Sequence, residues 1–154
     1  MKTMQWLVVS AALAVGTSAP ASAAQTDPEV IIYRFPGVAA VAAQNIVTAF
    51  HCTNFSGVTE NVRFVTRNFD ASLKSNLTMT LDHLATKTAS TRITLSYSSS
   101  LILDTGEVTQ GTTAIAATSI DIICTAMTID SSATKPVGVA LRGIRFSPVP
   151  GSQE

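Results

Sequence analysis

The sequence predicts an all-β protein, an antiparallel β-sandwich of about seven to eight strands with one inter-strand disulfide. Its composition is the first reason. Ser and Thr make up close to a quarter of residues 24–154, and β-branched residues crowd the apolar runs, which suits strands. The second reason is strict alternation of apolar and hydroxyl side chains in Leu77–Leu81 and Ile93–Tyr97, the pattern of half-buried antiparallel strands.

Turn residues separate the remaining apolar runs. Gly or Asp interrupts these runs at Pro36-Gly37, Ser56-Gly57, Asp104–Gly106, Gln110-Gly111 and Asp130–Ser132. The further strands expected between these turns are Val30–Phe35, Val41–Cys52, Thr59–Asn68, Leu101–Asp104, Thr113–Ile129 and Val137–Phe146. Residues 82–91 are polar enough to form a loose connection, and the Ala-rich run Gly37–Ala43 is also compatible with a short helix.

The N-terminus has the pattern of a signal peptide over residues 1–23. Lys2 is followed by the apolar run Trp6–Val15 and by Ala21-Ser22-Ala23, an A-x-A cleavage site. The apolar run has about ten residues, whereas a membrane-spanning helix needs roughly 20. The sequence therefore predicts a periplasmic or secreted protein that is not inserted in a membrane after cleavage, with residues 24–154 as a single domain.

The two cysteines, Cys52 and Cys124, are predicted to form a disulfide because exported proteins occupy oxidising compartments. The alternatives for the His51-Cys52 pair, a thiolate with its base or part of a metal site, lack the spacing of known motifs, so neither a metal nor a cofactor is expected. Strand parity places both cysteines on the apolar, core-facing side. A bridge from an early to a late strand across the core resembles the immunoglobulin-like arrangement, although its packed tryptophan has no counterpart outside the leader.

No catalytic residue is predicted. His51 and His83 are the two histidines, and Asp82 beside His83 would point to the opposite face of a strand. There is no Gly-x-Ser-x-Gly elbow and no Gly-rich phosphate loop. Removing Lys2 leaves nine basic against ten acidic residues, which argues against a nucleic-acid partner.

A set of outward-facing arginines is the candidate binding surface. The strand of Cys124 is expected to pair with Thr59–Asn68 on one side and with Val137–Phe146 on the other, as in immunoglobulin-like sandwiches. A bulge at Gly143 would keep Arg145 outward while Ile144 and Phe146 turn inward. The face would then contain Arg63, Val65, Arg67, Ile123, Thr125, Met127, Arg142 and Arg145. Arginine and methionine are enriched in interfaces, but arginines also simply keep sheet faces soluble.

The preferred interpretation is an exported, non-enzymatic binding module whose partner is an envelope protein or an acidic polysaccharide. The first alternative is a small extracytoplasmic hydrolase with a histidine base. The second is a subunit of a surface assembly that exchanges edge strands, although neither terminus contains a long, flat, apolar strand for that purpose.

Export and disulfide formation are testable together. We expect the mature protein to begin at Ala24 or one residue later and to contain a Cys52–Cys124 disulfide, since both features follow from the leader and from an oxidising compartment. Intact mass before and after reduction measures both. Retention of residues 1–23, or reaction of two thiols without prior reduction, would contradict the prediction.

Overall fold

The computed structural model describes residues 29–146 as an all-β protein; the predicted signal peptide, residues 1–23, lies outside the described residues. The described part contains ten strands rather than seven to eight, and a single short 3-10 helix at Ala42–Gln44. In chain order, β1 to β10 are Val30–Val41, Ile46–Asn54, Glu60–Arg67, Leu73–Leu81, Thr86–Ser90, Leu101–Ile102, Val108–Ala117, Ile122–Asp130, Gly138–Leu141 and Ile144–Arg145.

Hydrogen bonding links the strands into one continuous sheet that divides naturally into two groups. The first group has the order β4-β3-β7-β1, with β10 on the far side of β1; the second contains β6, β5, β2, β8 and β9. Only two residue pairs, Ala40↔Val47 and Val41↔Ile46, join β1 to β2 and hence the two groups. The described pairings are antiparallel except for that of β5 with β6.

Strand β1 passes between the groups because it is bulged. Its register against β7 shifts at three places, and at Ile32 and Gly37 the extra residue is on β1. At the step from Val38 to Ala40 the extra residue is on β7, and Ala39 has no partner in the ladder. Side chains from the second group satisfy the backbone of Ala39. The Thr48 hydroxyl accepts from the Ala39 N–H at 3.0 Å and lies 3.1 Å from its carbonyl, which the Thr91 hydroxyl also reaches at 3.1 Å.

The core lies between the two groups. Phe50 of β2 packs against Phe35 of β1 and Phe64 of β3, with ring centroids 5.7 Å apart in both pairs. All three side chains are buried. Because Phe35 and Phe64 belong to the first group and Phe50 to the second, these contacts join the two groups in addition to their two ladder pairs.

The predicted disulfide is confirmed, but its predicted position across the core is wrong. Cys52 and Cys124 are direct cross-strand partners on the neighbouring strands β2 and β8, with Cα atoms 4.1 Å apart. Both cysteines are buried in the core, as their parity predicts. Parity states which face a residue occupies and not which strand lies beside it, so a bridge within one layer satisfies it as well as a bridge between layers.

Several predicted strand boundaries are also wrong. Residues 82–91 contain β5, which pairs with β2 over five positions. The alternating run Ile93–Tyr97 is not a strand: the Leu95 N–H donates to the Ser131 carbonyl, and Ile93 and Leu95 are exposed. The predicted strand Thr113–Ile129 is two strands, β7 and β8, and Val137–Phe146 is divided into β9 and β10. The Ala-rich run Gly37–Ala43 is mostly part of β1.

The unpaired ladder position of Ala39 leads to a stability prediction. Thr48→Val keeps the shape of the side chain but removes the hydroxyl that bonds the Ala39 N–H. Leaving a buried polar group unsatisfied costs about 1–3 kcal/mol, so we expect the free energy of unfolding, measured in urea, to fall by that amount. Thr48→Ser keeps a hydroxyl and should retain most of the wild-type free energy of unfolding. Thr109→Val, at an exposed site on β7, should change this free energy little. Equal losses in Thr48→Val and Thr109→Val would refute this role.

Candidate arginine groove

The outer face of the first group contains a shallow groove that crosses β3, β7 and β1. Its side chains form rows because the three strands are in register. Arg63 of β3 is opposite Ala116 of β7, Val65 is opposite Ala114, and Arg67 is opposite Thr112. On the other side of β7, Ile31 pairs with Ala116 and Arg34 with Ala114. The groove has a volume of about 340 Å³.

Side-chain size explains the shape of the groove. Its floor is formed by Thr112, Ala114 and Ala116 of β7, which are small, and its walls by longer side chains of β3 and β1. The alternate residues of β3, Val62, Phe64 and Thr66, are buried in the core, so Arg63, Val65 and Arg67 are directed outward. The outward direction predicted for these three residues is therefore confirmed.

Three arginines and one carboxylate determine the charge of the groove. Arg63 forms an ion pair with Glu29, with 2.5 Å between Nε and the carboxylate oxygen. Arg67 donates from Nη1 to the Ala71 carbonyl at 2.9 Å. The Arg34 guanidinium lies 5.6 Å from the centroid of the Phe146 ring. Each guanidinium is thus oriented by a neighbour, and the wall groups sum to an excess of positive charge.

The other predicted members of the arginine face lie elsewhere, because the predicted strand order is wrong. Strand β8 pairs with β2 and β9, whereas β3 pairs with β4 and β7. Ile123, Thr125 and Met127 therefore belong to the second group of strands and do not share a face with Arg63 and Arg67. Met127 is also partly covered, since the Tyr97 hydroxyl contacts its sulfur at 3.2 Å.

Arg142 and Arg145 are separated from the groove as well. Arg142 is exposed between β9 and β10. Arg145 pairs with Tyr33 in the sheet, lies 5.8 Å from the centre of its ring, and donates to the Ile120 carbonyl at 2.8 Å. The predicted phase after Gly143 is wrong, since Ile144 is exposed and Arg145 lies on the side of buried Tyr33. Gly143 is instead needed for packing, because a Cβ there would meet the Phe35 ring at 2.4 Å.

Sequence reasoning missed Arg34, the arginine on the β1 wall of the groove. A usable signal was present. Successive side chains of a strand point to opposite faces, so Arg34, between the buried aromatic residues Tyr33 and Phe35, is expected on the outer face. The bulge at Ile32, where Ile31 and Tyr33 pair with the consecutive residues Ala116 and Ile115, brings Arg34 opposite Ala114. No pattern in the sequence predicts that bulge.

A second cavity of about 480 Å³ lies at one end of the strands, where four connections meet. Its lining consists of Ala42, Asn45, Arg92, Ile93, Ile102, Asp104 and Ser131. Arg92 and Asp104 have opposite charges, so this cavity has no excess of either sign. The groove on the first group is the better candidate for recognising a charged ligand.

His51 lies on the outer face of the second group, beneath the segment that connects β5 to β6. Its Nδ1 is 2.9 Å from the Thr88 hydroxyl, and its ring packs edge-on against Tyr97 at 4.5 Å. The Nε2 atom is buried without a hydrogen-bond partner among the described residues. Burial lowers the pKa of His51 below its usual 6.5 because desolvation penalises the charged ring. His83 is exposed and accepts a hydrogen bond from the Gly57 N–H.

Stability should therefore depend on the charge of His51. Because the pKa of His51 is lower in the fold than in the unfolded chain, the unfolded chain binds its proton first on acidification. We expect the free energy of unfolding to decrease as the pH falls from about 7.5 to about 5, and His51→Gln to reduce that decrease. Urea titrations at both pH values measure it. His83→Gln is the matched control and should keep the wild-type pH dependence; an unchanged slope in His51→Gln would contradict the prediction.

Comparison with protein-family models, with curated proteins and with solved structures finds no match in any of the three. Within residues 29–146, no helix is long and apolar enough to cross a membrane. The same residues contain no group of three or more His, Cys, Asp or Glu side chains placed to hold a metal ion.

Proposed function

We propose that the protein is an exported, non-enzymatic binding module with a two-layered β-sandwich fold, and that its arginine groove binds the carboxylate groups of an acidic envelope polysaccharide. The observation that supports this most is the grouping of Arg34, Arg63 and Arg67 around a floor of small side chains. A guanidinium presents paired N–H donors that match both oxygens of a carboxylate.

The shape of the groove favours an extended ligand over a compact one. The floor residues Thr112, Ala114 and Ala116 follow β7, and the arginines lie on both sides of that line. A polysaccharide chain lying along β7 would place its acidic substituents toward the walls. Asn76 of β4, opposite Val65, adds an amide that donates and accepts hydrogen bonds at the outer edge of the groove.

The environment of the histidines argues against the alternative of a histidine-dependent hydrolase. The free ring nitrogen of His51 is buried against Tyr97, where a substrate has no access. His83 has its Nδ1 occupied by a backbone N–H, and neighbouring Asp82 accepts from the Thr59 hydroxyl. These contacts support a structural role for both side chains.

The proposal is tested by calorimetric titration of the exported protein with a polyuronate, with neutral dextran as the comparison ligand. We expect polyuronate to bind, and dextran to show no heat of binding. A charge-assisted hydrogen bond contributes about 1.5–3 kcal/mol, so Arg34→Gln and Arg67→Gln should each weaken affinity about tenfold or more. Arg67→Lys should also weaken it, because lysine retains the charge but loses the paired donors.

Lys135→Gln is the matched control. Lys135 is exposed on the connection between β8 and β9, in the second group of strands, and its loss changes the net charge by the same amount. Full affinity in this variant, together with loss in Arg34→Gln and Arg67→Gln, would support the groove. The proposal fails if the polyuronate does not bind, or if Lys135→Gln weakens binding as much as the groove variants do.

A further inference from the structure

The edges of the described sheet are unequal. Three terminal strands are short: β6 and β10 have two residues each, and β9 has four. The fourth, β4, has nine residues and pairs only with β3 among the described strands. Proteins commonly protect sheet edges by keeping edge strands short, because an unpaired edge is a template for another strand. β4 lacks that protection.

Contacts at its two ends define the open part of β4. At one end, the register against β3 shifts at Lys74, and a bulge with a lysine blunts an edge. At the other end, the Thr80 carbonyl accepts from the Lys87 ammonium at 2.6 Å and the Leu81 carbonyl from the Asn54 amide at 2.7 Å. The stretch between these protected ends is Ser75–Met79, which contains no charge, no proline and no register shift.

This stretch is complementary to itself. Antiparallel pairing of two copies about Leu77 would place Leu77 opposite Leu77, Ser75 opposite Met79 and Asn76 opposite Thr78. Asn76 and Thr78 are on the outer face, where they can hydrogen-bond across the strands, and Leu77 is on the core side. Leu77 is 40% exposed although it pairs with buried Phe64. No like charges would meet, since Lys74 lies outside the stretch.

We propose that Ser75–Met79 is a homodimerisation edge, at which β4 of one copy pairs antiparallel with β4 of a second copy. The partner is a second copy because the stretch is neutral and has its exposed apolar side chain at the centre, so that antiparallel pairing places Leu77 opposite Leu77. Such pairing is isologous, as two-fold symmetric interfaces require. Burial of Leu77 against its own counterpart supplies an apolar contact beside the new backbone hydrogen bonds.

Pairing about a two-fold axis perpendicular to the sheet would put both arginine grooves on the same face. The β3 strands of the two copies would be three strand spacings apart, roughly 14 Å. For a polysaccharide, two adjacent sites convert the second contact into an intramolecular one and raise the overall affinity. This consequence rests on the proposed function, whereas the dimer itself does not.

Sedimentation velocity of the exported protein over a range of concentrations, without polysaccharide, tests the dimer. We expect a monomer–dimer equilibrium that Leu77→Lys shifts to monomer, because two lysines would then face each other. Val139→Lys is the matched control: Val139 is 72% exposed on the short edge strand β9, and its change should leave the dimer intact. Thermal unfolding of dilute samples verifies that both variants fold.

Amide hydrogen exchange gives a second measurement that does not depend on a variant. Exchange in Ser75–Met79 should slow as protein concentration rises, while exchange in β9 should not change. A protein that stays monomeric at all concentrations, or a dimer that is lost equally in Leu77→Lys and Val139→Lys, would overturn the proposal. Protection of β9 instead of β4 would do the same. None of these outcomes depends on whether polyuronate binds.

Discussion

The two groups of strands depend on how the backbone of Ala39 is satisfied at the register shift between β1 and β7. Ala39 has no partner in the ladder there, and its N–H and carbonyl must find other partners or the shift is too costly to keep. Here Thr48 and Thr91, both fully buried, provide those partners from the second group. Thr91 also accepts from the Thr48 N–H at 3.0 Å. The bend of β1 and the approach of the two groups therefore depend on the same two hydroxyl groups.

The position of Arg34 in the groove also depends on β1. β1 remains paired with β7 along most of its length, which keeps Arg34 opposite Ala114 while the end of β1 turns toward β2. The Cys52–Cys124 disulfide closes a covalent loop with a sequence separation of 72 that contains β3, β4 and β7. On the chain-entropy model, such a loop contributes about 4 kcal/mol. Most of the groove thus lies within a segment whose two ends are tied in the core.

The sequence predicted the faces of residues within long strands better than it predicted which strands are neighbours, and the phase predicted after Gly143 was wrong. Alternation correctly placed Arg63 and Arg67 outward and both cysteines inward, because burial imposes a period of two on a strand. Pairing between distant strands leaves no such period, so the position of β8 beside β2 was not predictable. Thr86 and Thr88 resembled a polar connection, yet their hydroxyls bond Thr53 and His51 across the ladder. The run Ile93–Tyr97 alternates like a strand, yet the Leu95 N–H donates to the Ser131 carbonyl of a connection, and the run joins no ladder.

The near-zero net charge constrains what kind of recognition the arginines support. At physiological ionic strength, exposed charges are screened beyond about 8 Å, and a neutral chain has no long-range field to attract polyanions. Any selectivity must come from contact geometry, through the paired donors of guanidinium groups held by Glu29, Ala71 and Phe146. Under the proposed function, a single shallow groove would make few contacts and bind weakly. A ligand with repeating carboxylates is therefore the kind that we propose such a surface retains, since it would engage both grooves of the proposed dimer at once.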